Sequence, residues 1–175
     1  MARLTSETRA TSSSASLTRW MEEALLEARI GLEAGEAPIG ALLVNADGDV
    51  IGRGHNTIRA TGNPTMHAEM NAFANGAGKF DDTGGLCLVS TLEPCVMCTG
   101  AAMQAGVTTI IYGLPAPADS GTGRVSPPTS PDATNPVVTG GIRAAASRAL
   151  FVQWLENHEG DESREGQRAF ISQLL

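Results

Sequence analysis

Two short stretches carry residue types and spacings that could do chemistry. Met66-His67-Ala68-Glu69-Met70 supplies an imidazole and a carboxylate two residues apart. Leu92-Glu93-Pro94-Cys95-Val96-Met97-Cys98 supplies two thiols three residues apart, directly after a proline. Zinc favours thiolate and imidazole ligands in a tetrahedron, and a catalytic site uses three protein ligands and leaves the fourth position to water. His67, Cys95 and Cys98 make three. Two thiolates balance the metal's charge, and a water in the open position still ionises near neutrality. Glu69 stands beside this set with a carboxylate able to take a proton from such a water and to pass it on.

These spacings place demands on the elements that carry them. Cys95 and Cys98 share a face if they lie on the first turn of a helix, where the helix N-terminus also favours a thiolate. His67 and Glu69 would point to nearly opposite sides in mid-helix, at about 3.6 residues per turn. The pair therefore requires His67 at the very start of its helix, and Pro64-Thr65 just upstream suits a chain entering a helix there.

Each motif alone has blander readings. Cys-x-x-Cys also serves structural zinc and redox pairs, and His-x-Glu arises by chance. A structural zinc site needs a fourth ligand, and the remaining candidates are Cys87, His55 and His158. Cys87 lies in the apolar run Leu86-Cys87-Leu88-Val89, where a small buried hydrophobe is expected. His158 falls in an acidic tail, and His55 closes a strand as a surface residue. In this order and with the proline adjacent, His-x-Glu followed by Pro-Cys-x-x-Cys is the signature of zinc deaminases that act on nucleobases.

On those residues the chain resembles the cytidine deaminase-like superfamily, in particular its guanine and cytosine deaminases and its tRNA adenosine deaminases. The resemblance spans about residues 17–157. It implies a three-layer α/β/α sandwich around a mixed five-stranded sheet, Zn2+ held by His67, Cys95 and Cys98, and hydrolytic deamination with Glu69 as the catalytic proton carrier. It also implies substrate contacts from Asn56, from the backbone N–H of Ala68 and from the carbonyl of Glu93, and a homodimer. Pro38-Ile39-Gly40-Ala41-Leu42-Leu43-Val44 resembles the first strand of that fold, whose small residues leave room for the substrate ring. The plainer role for Gly40 and Ala41 is close packing of the first helix on the sheet, and the plainer role for Asn56 is that of a turn former.

Composition narrows the partners. The 175 residues suffice for one domain with a proper core. Hydrophobic residues make up 42% and aromatics 4%, so that core is aliphatic and alanine-rich. A net charge of -7 counts against long nucleic acid as substrate unless a local basic patch serves. Arg53, Arg59, Arg124 and Arg143 are the few residues available for one. Three cysteines, two of them assigned to metal, suggest no disulfide framework, which fits a reducing cytoplasm. No apolar run approaches the roughly 20 residues of a membrane span, and no signal-peptide core is present near the start.

In chain order, residues 1–16 read as a disordered leader, with a partner-touching basic arm as the sharper alternative. Residues 17–34 form an amphipathic helix with Met21, Leu25, Ala28 and Leu32 on its stripe. Ile39–Asn45 and Val50–Gly54 form a hairpin around Ala46-Asp47-Gly48-Asp49. A helix over 66–78 carries His67 and Glu69, and Lys79–Gly85 is a polar loop. A strand over 86–91, a helix over 95–106 and a strand over 107–112 make a right-handed crossover. Residues 113–136 hold six of the nine prolines, and so long a loop suits a substrate lid. It departs from the shorter loop of the tRNA enzymes. Val137–Thr139 is a short strand, and helix 142–157 turns Ile142, Ala145, Ala149, Val152 and Leu155 to the sheet. Trp154 plugs the core or meets a partner subunit. After an acidic stretch, a weakly amphipathic helix over 164–175 docks Ala169, Phe170 and Leu174. In some resembling guanine deaminases the C-terminal segment closes the active site. Residues 17–175 read as a single domain.

The function expected is therefore removal of the exocyclic amine from a free nucleobase or nucleoside of guanine or cytosine type. A tRNA adenosine deaminase is the rival. A zinc-stabilised binding module is the non-enzymatic alternative, against which the intact Glu69 speaks.

Overall fold

The computed structural model describes residues 13–79, 84–131 and 133–175. Helix α1 spans Ser14–Glu33. It begins inside the stretch expected to be a disordered leader, because Ser13 caps it. The Ser13 Oγ accepts from the Ser16 N–H at 3.2 Å and satisfies one of the donors that a helix start leaves open. Residues 1–12 of that expected leader, and most of the polar loop before Gly85, lie outside the described residues. The stripe of Met21, Leu25, Ala28 and Leu32 is buried as expected and is joined by Trp20 and Ala24.

Strands β1 (Gly40–Val44) and β2 (Val50–His55) pair antiparallel as the expected hairpin. A single turn, α2 (Ile58–Thr61), leads to α3 (Ala68–Gly76). Strand β3 (Leu86–Leu92), helix α4 (Val96–Gln104) and strand β4 (Val107–Leu114) form the crossover, with β3 and β4 parallel. Strand β5 (Val137–Thr139) adds parallel to β4. Helix α5 (Ala144–Asn157), a 3-10 turn at Glu162–Arg164 and helix α6 (Glu165–Gln173) complete the chain. The strand order is β2-β1-β3-β4-β5. Helices α1 and α5 pack on one face of this mixed sheet, and α3 and α4 lie on the other. This is the expected three-layer α/β/α arrangement.

Strands β1 and β3 are buried along their whole length, as strands covered on both faces must be. Trp20, Met21, Leu42, Val89, Phe151 and Trp154 fill the layer under α1 and α5. Leu43, Leu88, Ile110 and Ala102 fill the layer under α3 and α4, with Phe73 against them. Cys87 is buried in β3 as a small hydrophobe, and burial pushes its thiol pKa up to about 12.

Gly40 takes the plainer of its two expected roles and gives its space to α1: a Cβ there would meet the Ala24 carbonyl oxygen at 2.1 Å. One sequence expectation is corrected. On α5 the sheet-facing residues are Ser147, Leu150, Phe151 and Trp154. Ala145, Ala149 and Val152 face outward, Ile142 precedes the helix, and Leu155 is only partly buried. In so alanine-rich a helix the small residues fit either face, and the large Phe151 and Trp154 side chains set the phase. The Trp154 side chain goes wholly into the core.

Candidate active site

Two helix N-termini meet at the carboxyl end of β3, where open α/β sheets bind ligands. His67 is the N-cap of α3, with extended backbone (φ -71°, ψ 160°). This breaks the helical phase and lets His67 and Glu69 converge despite their two-residue spacing. Cys95 is likewise the N-cap of α4, and Cys98 follows on its first turn. Helix α3 reaches this position because β2 lets it approach closely: a Cβ on Gly54 would lie 2.4 Å from the Ala68 carbonyl oxygen.

The Nδ1 of His67 lies 3.6 Å from the Sγ of Cys95 and 3.6 Å from the Sγ of Cys98. All three ligand atoms lie within 4.8 Å of one another. A tetrahedral zinc with sulfur at about 2.3 Å and nitrogen at about 2.0 Å has sulfur–nitrogen edges of about 3.6 Å. The donor set thus fits zinc in both chemistry and size. A structural Cys2His2 site would need a fourth ligand, and among the described residues no other histidine or cysteine joins this group.

The electrostatics favour a thiolate at Cys95. The Cys95 thiol is lowered to about 4, chiefly by a hydrogen bond from Cys98. Cys98 is pushed up because it donates that bond and is buried. His67 is raised mainly by its contact with Cys95, against the opposing effect of burial. Glu69 is 3% exposed, and burial pushes its carboxyl above the usual range. Its Oε1 accepts from the Ser90 hydroxyl at 3.1 Å, and its Oε2 lies 3.5 Å from the Cys98 Sγ.

A cavity of about 140 Å³ opens onto this cluster. Its walls are Ala37, Ile39, Ile58, Leu92 and Phe170, and its polar groups belong to Asn56, His67, Glu69, Glu93, Cys95, Asp119 and Gln167. Ile58 reaches it on α2, whose Arg59 and Ala60 N–H groups donate to the buried Glu36 carboxylate. The expected substrate contacts are placed as follows. Asn56 lines the cavity, and its Oδ1 accepts from the Ala68 N–H at 2.9 Å. That N–H, expected to be free for substrate, is therefore already engaged. What remains directed elsewhere is the Asn56 amide NH2.

A profile described as "Cytidine and deoxycytidylate deaminase zinc-binding region" matches residues 14–114. The chain belongs to this family. Relatives of the domain include the tRNA(Ile)-lysidine synthase of Deinococcus radiodurans, 41% identical over 134 residues, or 75% of this chain and 23% of that one. The tRNA-specific adenosine deaminase of Streptococcus pyogenes serotype M1 is 44% identical over 99 residues, 55% of this chain and 57% of that one. The chain thus spans about a quarter of the first relative and under two thirds of the second. A solved structure from work on A-to-I editing by tRNA:A34 deaminases superposes with a TM-score of 0.66 at 34% identity, covering 76% of this chain and 99% of that one. The guanine deaminase from Nitrosomonas europaea superposes with a TM-score of 0.64 at 23% identity, over 78% of this chain and 83% of that one, which shows a shared fold.

Three polar groups line the cavity beyond those that the sequence singles out: Asp119, Gln167 and the Glu93 side chain. The Glu93 carboxylate accepts from the Ala116 N–H at 2.9 Å, from the Ser120 hydroxyl at 2.5 Å and from the Thr122 hydroxyl at 2.6 Å. Burial pushes this carboxyl up, but the hydrogen bonds from Ser120, Thr122 and Ala116 outweigh it and hold the group below the usual range. The front of the Pro-rich loop is thereby fastened to the start of α4. The Gly121 N–H adds a bond to the Pro94 carbonyl at 2.8 Å. Asp119 sits within this fastened segment and is raised chiefly by burial, with the Cys95 charge adding to it.

Glu93→Ala removes all three side-chain bonds. We expect a loss of about 2 kcal/mol, or roughly 4–8 °C in thermal midpoint for a domain of this size. We also expect a lower kcat/KM as Asp119 loosens. A thermal melt and steady-state kinetics on the same preparation check both.

Proposed function

We propose that this domain hydrolytically deaminates a small free amino-heterocycle of guanine or cytosine type, as base or nucleoside, and releases ammonia. The observation that carries this reading is Asp119, a carboxylate on the wall of the cavity that Glu69 floors. An ionised carboxylate only accepts hydrogen bonds. Guanine, guanosine and cytosine each offer a ring N–H beside a carbonyl, whereas the adenosine and cytidine rings offer no ring N–H, so Asp119 favours guanine, guanosine and free cytosine within this class.

The cavity supports the same class. About 140 Å³ is close to the space that holds one benzene ring in a protein interior and well below the roughly 300–1,000 Å³ of pockets for drug-sized ligands. Helix α6 supplies part of the wall through Gln167 and Phe170. Of the four arginines available for an RNA surface, Arg53 pairs with Glu23 and Arg143 lies 3.5 Å from Glu22, while Arg59 is exposed on α2. Arg124 is turned to the Pro117 and Ala118 carbonyls.

His67, Cys95 and Cys98 would hold zinc, whose Lewis acidity makes a water nucleophilic near neutrality. Glu69 takes the proton of the attacking water and delivers it to a ring nitrogen; it then takes the proton of the added hydroxyl as that oxygen becomes the carbonyl, and passes it to the amine as the C–N bond breaks and ammonia leaves. Its buried setting, with a raised carboxyl, suits a group that must both accept and return a proton. The Ser90 hydroxyl holds one carboxylate oxygen in place. Ile39, Ile58, Leu92 and Phe170 flank the ring, and the Asn56 amide NH2 is the donor on the side of α3.

Asp119→Asn tests the reading. Loss of a charge-assisted hydrogen bond should lower kcat/KM for a substrate with a ring N–H by roughly 10- to 100-fold. A variant as active as the wild type would remove the main support. The second reading, deamination of adenosine in tRNA, is favoured by identity to tRNA-specific adenosine deaminases. It expects Asp119→Asn to be neutral and turnover to require an RNA stem-loop.

A further inference from the structure

Helix α6 is held in place before it reaches the cavity. Ile171 and Leu174 are buried beneath it. Arg164, 7% exposed at its N-terminus, donates from Nη2 to the Gly35 carbonyl at 2.8 Å and lies over the Trp154 ring. Its other terminal nitrogen, Nη1, lies 2.9 Å from the Oε1 of Gln167. A guanidinium has donors only. The Gln167 atom facing it must therefore be the carbonyl oxygen, which fixes which end of the amide points where.

We propose that Gln167 is a specificity-determining residue, whose NH2 group is presented to the cavity as a hydrogen-bond donor for the substrate's ring carbonyl, with Arg164 as the positioning residue that sets this polarity. The inference rests on the deaminase reading above and narrows it to heterocycles carrying a lactam. Asp119 accepts from the ring N–H, and Gln167 donates to the ring carbonyl. The adenosine ring has neither group, and adenine has no ring carbonyl. Polar sites built to bond a substrate group discriminate strongly against analogues that lack it, because the site's own group is then left unpaired. Phe170, one turn further along the same helix, lines the cavity beside it.

The experiment uses the zinc-loaded full chain and compares two substrate sets. Guanine, cytosine and isocytosine carry the carbonyl, whereas 2-aminopurine and 4-aminopyrimidine lack it. Gln167→Met keeps the length of the side chain and removes the donor. It should lower kcat/KM on the carbonyl substrates roughly 10-fold or more, through KM. On the carbonyl-free substrates it should change less than about twofold. Arg164→Lys, which can still donate to Oε1, should keep most of the preference for carbonyl substrates, and Arg164→Met should lose it. Equal losses on both sets would make Gln167 a packing residue and overturn the assignment, as would an unchanged profile. Wild-type protein active on a carbonyl-bearing base alongside an unaffected Gln167→Met variant overturns the Gln167 role alone. Wild-type activity confined to RNA, or none on any base, overturns the underlying deaminase reading and this inference with it.

Discussion

Glu69→Gln is expected to reduce ammonia release by roughly 10²–10⁴-fold, the range that a positioned general acid–base group supplies. The glutamine is isosteric and keeps an oxygen for the Ser90 hydroxyl, so the pocket should keep its shape. The carboxylate is 3% exposed on the first turn of α3. It makes no salt bridge among the described residues, so no ion pair is broken. Zinc content and thermal midpoint should match the wild type, which separates loss of proton transfer from loss of fold. A variant within tenfold of wild-type activity would remove Glu69 from the proton path.

Stripping zinc is the second large effect. The three ligand atoms come from the N-termini of α3 and α4, which are separated in sequence by β3. Metal bound to the folded state alone stabilises it by about 4 kcal/mol at a thousandfold excess over Kd. For a domain of this size each kcal/mol moves the midpoint by about 2–4 °C. Chelation should therefore lower the thermal midpoint by about 8–16 °C. It should abolish turnover without unfolding the chain at room temperature, because both apolar layers of the sheet persist without the metal. Re-addition of zinc should restore both values. Cys98→Ser should abolish the difference between the chelated and zinc-loaded melts. A midpoint indifferent to chelation, with activity intact, would contradict the assignment of His67, Cys95 and Cys98 to zinc.

The chemistry was legible in the sequence because it is local. His67-x-Glu69 and Pro94-Cys95-x-x-Cys98 each place their groups at one helix start, and the need for His67 at an N-cap followed from helical geometry alone. The five strands and their order of helices were legible from apolar runs and glycine or proline breaks. What escaped was long-range or degenerate. Asp119 lies in a Pro-rich loop whose path is set by three bonds to Glu93, and no spacing rule connects those positions. Gln167 follows from a contact between α6 and a buried Arg164, in a tail whose periodicity is weak. Phe170 was seen as a docking residue but not as a cavity wall. The face of α5 was misassigned because alanines at 145 and 149 fit either side. Of the two roles open to Gly40, room for a substrate and packing against the first helix, the sequence alone could not choose, and the backbone of α1 that fills the space above it decides for packing.

The most direct measurement is ammonia release by the zinc-loaded protein over guanine, cytosine, adenine, their nucleosides and an anticodon stem-loop RNA, with Glu69→Gln as control. The expected result is turnover of a lactam-bearing base or nucleoside, lost in the variant, with no turnover of the RNA. Turnover of the stem-loop alone would contradict the small-molecule reading and establish the RNA one.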